Sequence, residues 1–164
     1  MKIVMKQVIL LIVYVLLVSC WPPADNPPIY SMYEPEIMTR SDFDNSIVLK
    51  EVKEIQESGK IYVIGDFLYI NDKNSGFHIL NNNNPKTPFK QSFIEAPGAT
   101  DVAVRNNTLY INQATDLVVL TLNNSTGGLN VEKRLKNVFP VMMSPDGYFP
   151  NIEDNEVVVN WKLK

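Results

Sequence analysis

Two patterns of apolar and polar positions divide this chain. From Val8 to Leu17 the residues are apolar without a break, whereas from Ile61 onward short apolar runs alternate with clusters of Gly, Asn, Asp and Ser. The second pattern predicts strands and hairpins. Ile61–Ile64 and Phe67–Ile70 flank Gly65-Asp66, a two-residue turn whose members tolerate positive φ. Asp72–Gly76 predicts a further turn, Phe77–Leu80 a third strand, Asn81–Pro88 a loop and Lys90–Glu95 a fourth strand. The order then repeats: Val102–Arg105, the turn pair Asn106-Asn107, Thr108–Ile111, a turn around Gln113-Ala114-Thr115, Leu117–Leu122, a loop over Asn123–Gly128, and Val131–Leu135. Upstream the pattern is mixed. Met38–Phe43 predicts one helical turn capped at Ser41, and the charged stretch Lys50–Ser58 fits either a strand or a short helix.

Leu68-Tyr69-Ile70-Asn71 returns unchanged at Leu109-Tyr110-Ile111-Asn112, 41 positions later, and Ile61 and Val63 map onto Val102 and Val104 at the same offset. Four short strands per period of this length are the pattern of a β-propeller blade. Strands that are apolar on both faces, such as Ile61–Ile64 and Leu117–Leu120, suit sheets stacked on neighbours at either side. The expected fold class is therefore all-β. It is read as a partial β-propeller of two four-stranded blade-like repeats plus a fragment, Asn155–Trp161, with a small β-sandwich of two similar hairpins as the alternative. Propellers close with about four to eight blades. Two units thus predict uncovered faces carrying Tyr62, Ile64 and Val157. They also predict self-association, a second chain supplying further blades, or a shortened member of a longer family.

The apolar run near the start is too short to span a bilayer, which takes about 20 residues. Preceded by Lys2 and Lys6 and followed by Val18-Ser19-Cys20, it fits a secretory signal over residues 1–19. Leu17-Val18-Ser19-Cys20 resembles the lipobox of bacterial lipoproteins, which implies cleavage before Cys20 and lipid on that residue. A plain signal peptide or an uncleaved anchor is the alternative. Cys20 is the one cysteine in the chain, so no disulfide competes for it, and two or more acyl chains give stable membrane attachment. Trp21–Pro28 holds four prolines in eight residues, an extended spacer. The expected organisation is a signal peptide at 1–19, a lipid anchor and tether at 20–32, and a repeat domain at 33–164. Trp21 after the cysteine, in place of Asp, points to the outer membrane by analogy with known sorting rules.

Charge narrows the partners. Removing residues 1–19 takes Lys2 and Lys6 and no acid from 15 basic against 18 acidic residues, leaving a net charge of −5. Nucleic acid needs a basic surface and is not expected.

Several segments in order carry a family resemblance: Tyr33-Glu34-Pro35 with Met38 and Arg40, Gly59–Val63, Gly76–Ile79, Pro97–Val104, Asp116–Val118, Val138-Phe139-Pro140 and Asn155–Trp161. In order and spacing they resemble the LVIVD-repeat lipoproteins of Bacteroidetes-type bacteria. The resemblance implies a β-propeller on the cell envelope and no settled biochemical activity.

Candidate chemistry is sparse. His78, the single histidine, falls mid-strand between Phe77 and Ile79, which suits packing better than general-base work. No second histidine exists to build a zinc site, and no serine stands in a Gly-x-Ser-x-Gly turn. Asp72-x-Asn74-x-Gly76 has the start of a calcium loop without its later Glu, so a plain turn is expected. Asp101 and Asp116, at the corners of the second repeat, are expected to bond turn amides. No catalytic residue, metal or cofactor is predicted. The aromatics Tyr62, Phe67, Tyr69, Phe77, Tyr110 and Phe139 fit inter-sheet packing, or else a groove for carbohydrate or peptide. The expected function is a lipid-anchored, non-catalytic envelope module that binds or scaffolds a protein or glycan partner. The alternative is an envelope enzyme acting on glycan or peptide through loop carboxylates.

Overall fold

The computed structural model describes residue 7, residues 30–123 and residues 128–164. Cys20, the lipobox and the proline-rich spacer lie outside the described residues, as does most of the loop after Asn123. The chain divides into Met1–Tyr30 and Ser31–Lys164, and every strand belongs to the second unit. Among the described residues no helix is long and apolar enough to cross a membrane.

The protein is all-β, built of antiparallel sheets of which none is closed. The first sheet has the order β2-β6-β5-β4-β3 and contains β2 (Val48–Lys50), β3 (Ser58–Ile64), β4 (Phe67–Asp72), β5 (Gly76–Asn81) and β6 (Phe89–Glu95). The second has the order β10-β9-β8-β7 and contains β7 (Ala99–Arg105), β8 (Thr108–Gln113), β9 (Asp116–Asn123) and β10 (Gly128–Leu135). At the offset of 41, β3 falls on β7 and β4 on β8, residue for residue. The turns explain why. Gly65, Asn106 and Asn107 all have positive φ, at 55°, 49° and 64°, the conformation that two-residue hairpins require.

At the other end of the hairpins the repeats part. The three-residue turn Lys73–Ser75 leads into Gly76, with φ of 144°, where an added Cβ would lie 2.0 Å from the Ile94 carbonyl oxygen. Only glycine fits there. The second sheet turns through Ala114 and Thr115 alone and then accepts a full side chain at Asp116.

The two sheets pack face to face, β7 against β3, β4 and β5, and β10 against β2. Tyr69, Phe77, Ile79 and Ile94 of the first meet Val102, Leu109, Ile111, Val118 and Leu120 of the second in one core. The expectation that Tyr62, Ile64 and Val157 would be left uncovered is corrected. Tyr62 and Ile64 pack against that core, because strand alternation turns even-numbered residues of β3 towards the second sheet. Their neighbours Ile61 and Val63 face outward, 60% and 67% exposed. Val157 is buried with Phe43 and Val159.

A third, two-stranded sheet joins β1 (Tyr33–Thr39) to β11 (Glu156–Leu163). The segment read as a fragment of another blade is thus paired with the start of the repeat domain. It lies by the hairpin turns, where Asn74 Nδ2 donates to Asn160 Oδ1 at 2.8 Å and Val159 and Ala114 share a small core. Between β1 and β2 runs one helical turn, α1 (Arg40–Asp44), capped by Thr39, whose hydroxyl accepts from the Asp42 amide at 3.2 Å. The cap is two residues earlier than Ser41, since β1 runs straight into the helix at Thr39. Residues 51–57 are neither strand nor helix. They cross the outer face of the first sheet as a strap.

Candidate functional site

Three carboxylates, Asp72 and Asp116 at strand ends and Asp101 within β7, are each engaged by their own surroundings. Asp72, at the end of β4, is 1% exposed. It accepts hydrogen bonds from the amides of Glu57 (2.8 Å) and Gln56 (3.4 Å) and so holds the strap. His78 Nε2 lies 3.2 Å away and Lys53 Nζ 3.5 Å. Phe93 floors this cluster, its centroid 4.7 Å from the His78 ring and 3.9 Å from Lys53 Nζ. Burial works to raise the Asp72 pKa, but the Glu57 amide and the bond to His78 outweigh it and hold the carboxyl below its ordinary value. Burial pushes the His78 pKa down, more than the bond to Asp72 lifts it. His78 is therefore a packed, neutral partner of Asp72.

Asp116, at the start of β9, is fully buried. Arg40 grips it with both terminal nitrogens, Arg134 Nη1 donates at 3.1 Å and the Asn137 amide at 3.1 Å. Asp44 completes the cluster, within 3.0 Å of Arg40 Nε and 2.6 Å of Lys136 Nζ. The Phe43 ring lies between the two guanidinium groups, 5.4 Å from Arg40 and 5.0 Å from Arg134, a cation–π arrangement. Burial works to raise the Asp116 pKa, and the Arg40 bond, the Asn137 amide and Arg134 together bring it below the usual range. Asp101 on β7 accepts from Lys60 Nζ at 2.6 Å, from the Tyr62 hydroxyl and from the Val102 amide. Its pKa is likewise lowered, burial being outweighed by Lys60 and Tyr62.

Asp116 bonds the Asn137 turn amide, as the sequence predicted for hairpin corners, and Asp72 bonds the strap amides, whereas Asp101, predicted to bond a turn amide, bonds the Val102 amide of its own strand. The sequence did not disclose their cations. Arg40 and Arg134 sit 76 and 18 positions from Asp116, and no local motif links them. A general acid needs a raised pKa, and all three are displaced the other way. The Asp72-x-Asn74-x-Gly76 stretch makes a turn, with the Asp72 carboxylate aimed at the strap and the Asn74 amide at Asn160. Among the described residues no three of His, Cys, Asp and Glu are grouped to hold a metal.

A cleft of about 250 Å³ opens between the two sheets at the end opposite these clusters. Phe67, Tyr69 and Ile79 form its apolar wall, and Asn81, Gln91, Ser92 and Asn107 supply amides and a hydroxyl. Among the described residues no charged side chain lines it. The Gln91 and Ser92 side chains make no hydrogen bond within the described residues, whereas Asn107 Nδ2 donates to the Leu122 carbonyl at 2.9 Å. Of the six aromatics weighed for a groove, Phe67 and Tyr69 reach this cleft. Tyr62 and Phe77 are taken up by the inter-sheet core, Tyr110 is exposed on the far face, and Phe139 stands at the turn, its amide bonded to the Thr115 carbonyl. Gln91 and Ser92 carry no sequence signal that marks a site. A larger cavity of about 420 Å³ beside α1 is lined by Arg40, Lys136, Glu153, Asp154 and Glu156. Its two cations are already paired to Asp116 and Asp44.

Comparison with protein-family models, with curated proteins and with solved structures finds no match to this chain.

Proposed function

We propose that this chain is a lipid-anchored, non-catalytic module of the bacterial cell envelope, attached through Cys20, that binds a protein or glycan partner. The observation that carries the binding part is the uncharged cleft at Phe67 and Tyr69. Aromatic faces beside free amide and hydroxyl groups suit a neutral, hydroxyl- or amide-rich ligand such as an oligosaccharide or an extended peptide. The anchoring part rests on Leu17-Val18-Ser19-Cys20 after a short apolar run. Asp72, Asp101 and Asp116 are each taken up by hydrogen bonds within the fold, which favours structural roles for these three.

We read the two sheets as propeller blades of the LVIVD-repeat type, on the outer membrane. Support comes from how they stack. Unlike faces meet: the side of the first sheet carrying Tyr62 and Tyr69 lies on the side of the second carrying Val102 and Ile111, which correspond to Ile61 and Ile70. Such head-to-tail stacking is how repeat arrays grow, whereas two hairpins related as sandwich halves bring like faces together.

Two experiments test this reading. Cys20→Ala releases the protein from the membrane fraction or leaves it as unprocessed precursor, and an unmodified Cys20 thiol by intact-mass spectrometry refutes the anchor. For the cleft, the envelope protein is titrated with panels of neutral oligosaccharides and peptides. Ser92→Trp, which fills the cleft, abolishes any binding found. Binding that survives that substitution places the ligand elsewhere.

A further inference from the structure

The sheets of this protein end in unpaired strand edges, and an exposed edge is a template for pairing unless something blunts it. Most are blunted. β2 is three residues long. β10 carries Glu132, Lys133 and Arg134 beside a register shift. β1 contains Pro35 between Glu34 and Glu36, and β7 presents Asp101 and Arg105. β3 differs. Over Ser58–Ile64 it holds one charged residue, Lys60, no proline, a register shift confined to its start between Ser58 and Ile61, and two outward apolar side chains, Ile61 and Val63, which are 60% and 67% exposed. At the equivalent places in the second sheet, Val102 is 4% exposed and Val104 is packed against the core. None of the backbone bonds made outside the sheets reaches β3 within the described residues.

We propose that β3 is a self-association edge, pairing antiparallel with β3 of a second copy about Tyr62. The occupant follows from the symmetry of the strand. Ile61 and Val63 stand one position either side of Tyr62, so a twofold axis there sets Ile61 of one copy directly opposite Val63 of the other, twice. Both exposed side chains gain an apolar cross-strand partner on the same face. A twofold contact also closes on itself and yields dimers, not fibres. The inference does not depend on the cleft or on the anchor.

The test is register-specific. Full-length chains carrying Ile61→Cys and Val63→Cys are co-expressed, extracted in mild detergent and oxidised. The expected result is a disulfide-linked heterodimer, well above the level from either variant alone or from the parent chain with Cys20. Both sites are exposed, so neither variant is expected to disturb folding. Sedimentation of the detergent-solubilised protein gives a second reading. Val63→Lys places a charge on the edge and raises the dimer dissociation constant about tenfold or more. A parent chain that remains monomeric, a dimer indifferent to Val63→Lys, or equal cross-linking by the single variants each overturns the proposal.

Discussion

The same four residues, Leu-Tyr-Ile-Asn, occur in β4 and β8 at corresponding positions, yet their burial is opposite. In β4, Tyr69 and Asn71 are buried at 5% and 3% exposure, while Leu68 and Ile70 are half-buried. In β8, Leu109 and Ile111 are fully buried and Tyr110 is exposed. Side-chain direction is the same in both strands, since the register is the same. What differs is which face has a neighbour. The first sheet has the second on its Tyr69 side, and the second has the first on its Leu109 side. Local sequence therefore fixes the strand, and stacking order fixes what each residue is worth.

Substitution of matched residues breaks or sharpens this contrast. Leu109→Ala removes a fully buried side chain and is expected to cost about 4 kcal/mol, within the range for such cavities. Leu68→Ala, half-exposed, is expected to cost about half that. For the tyrosines the order inverts: Tyr69→Ala is severe and Tyr110→Ala mild. Urea midpoints of the four variants check it. Equal losses at Leu68 and Leu109 would mean that the first sheet's outer face is covered as well as the second's inner face.

The hairpin-end carboxylates give the next largest effect. Asp116→Asn strips a buried anion from between Arg40 and Arg134, leaving two cations with reduced compensation, at a cost of about 3 kcal/mol. Asp72→Asn keeps an acceptor for the strap amides and loses a pair with Lys53, which is 39% exposed; about 1–2 kcal/mol is expected. Thermal melting of the two variants side by side measures the difference. A larger loss at Asp72 would show that the strap, not α1, is the more tightly coupled element.

These contrasts also mark how far the sequence was legible. The repeat, the turns at Gly65-Asp66 and Asn106-Asn107 and the strands between them follow from local pattern, because hairpin chemistry is local. The pairing of β1 with β11 joins residues near opposite ends of the repeat domain, and nothing in either strand names the other. The strap was ambiguous between strand and helix because its conformation is set by Asp72, beyond its own residues. Cleft residues Gln91 and Ser92 became visible only once the second sheet was in place. Burial of Tyr62, in place of Ile61, depended on the same stacking.

A smaller effect separates the clusters by pH. His78 has a pKa below its ordinary value of about 6.5 because it is buried. The folded state thus binds fewer protons than the unfolded chain just below that pH. Stability from this group is fully present above about 6.5 and falls as pH drops towards the lower folded value. Asp72, Lys53, Lys90 and Glu54 surround the ring and modulate the shift. The Arg-bound Asp116 contributes no such step there. Its lowered pKa gives stability that is present above the ordinary carboxylate range and is lost only as pH falls below it. His78→Gln should flatten the loss of stability between pH 7 and 5 and change the acid limb only through Asp72, whose carboxyl the ring helps hold down, as read from urea midpoints across pH. A profile unchanged between pH 7 and 5 would show that the ring already titrates in the fold as it does in the unfolded chain.

The smallest effect lies in the paired turns. Gly65 and Asn106 occupy the same turn position, with φ of 55° and 49°. An added Cβ at Gly65 meets nothing within 4 Å, so space does not forbid a side chain and only backbone strain counts. Asn adopts this region at little cost, whereas β-branched residues resist it. Gly65→Asn brings the second repeat's residue into a turn whose other member, Asp66, lacks the positive φ of Asn107, and is expected to cost less than about 1 kcal/mol. Gly65→Val at the same site is expected to cost about 1–2 kcal/mol. Both variants leave the cores untouched, so their difference in unfolding midpoint reads the turn alone. If Asn proved as costly as Val, the positive φ that Gly65 shares with Asn106 would not make the two turns interchangeable, and the residue-for-residue match of β3 and β4 with β7 and β8 would have to arise from the packing of the sheets instead of from the turns that start them.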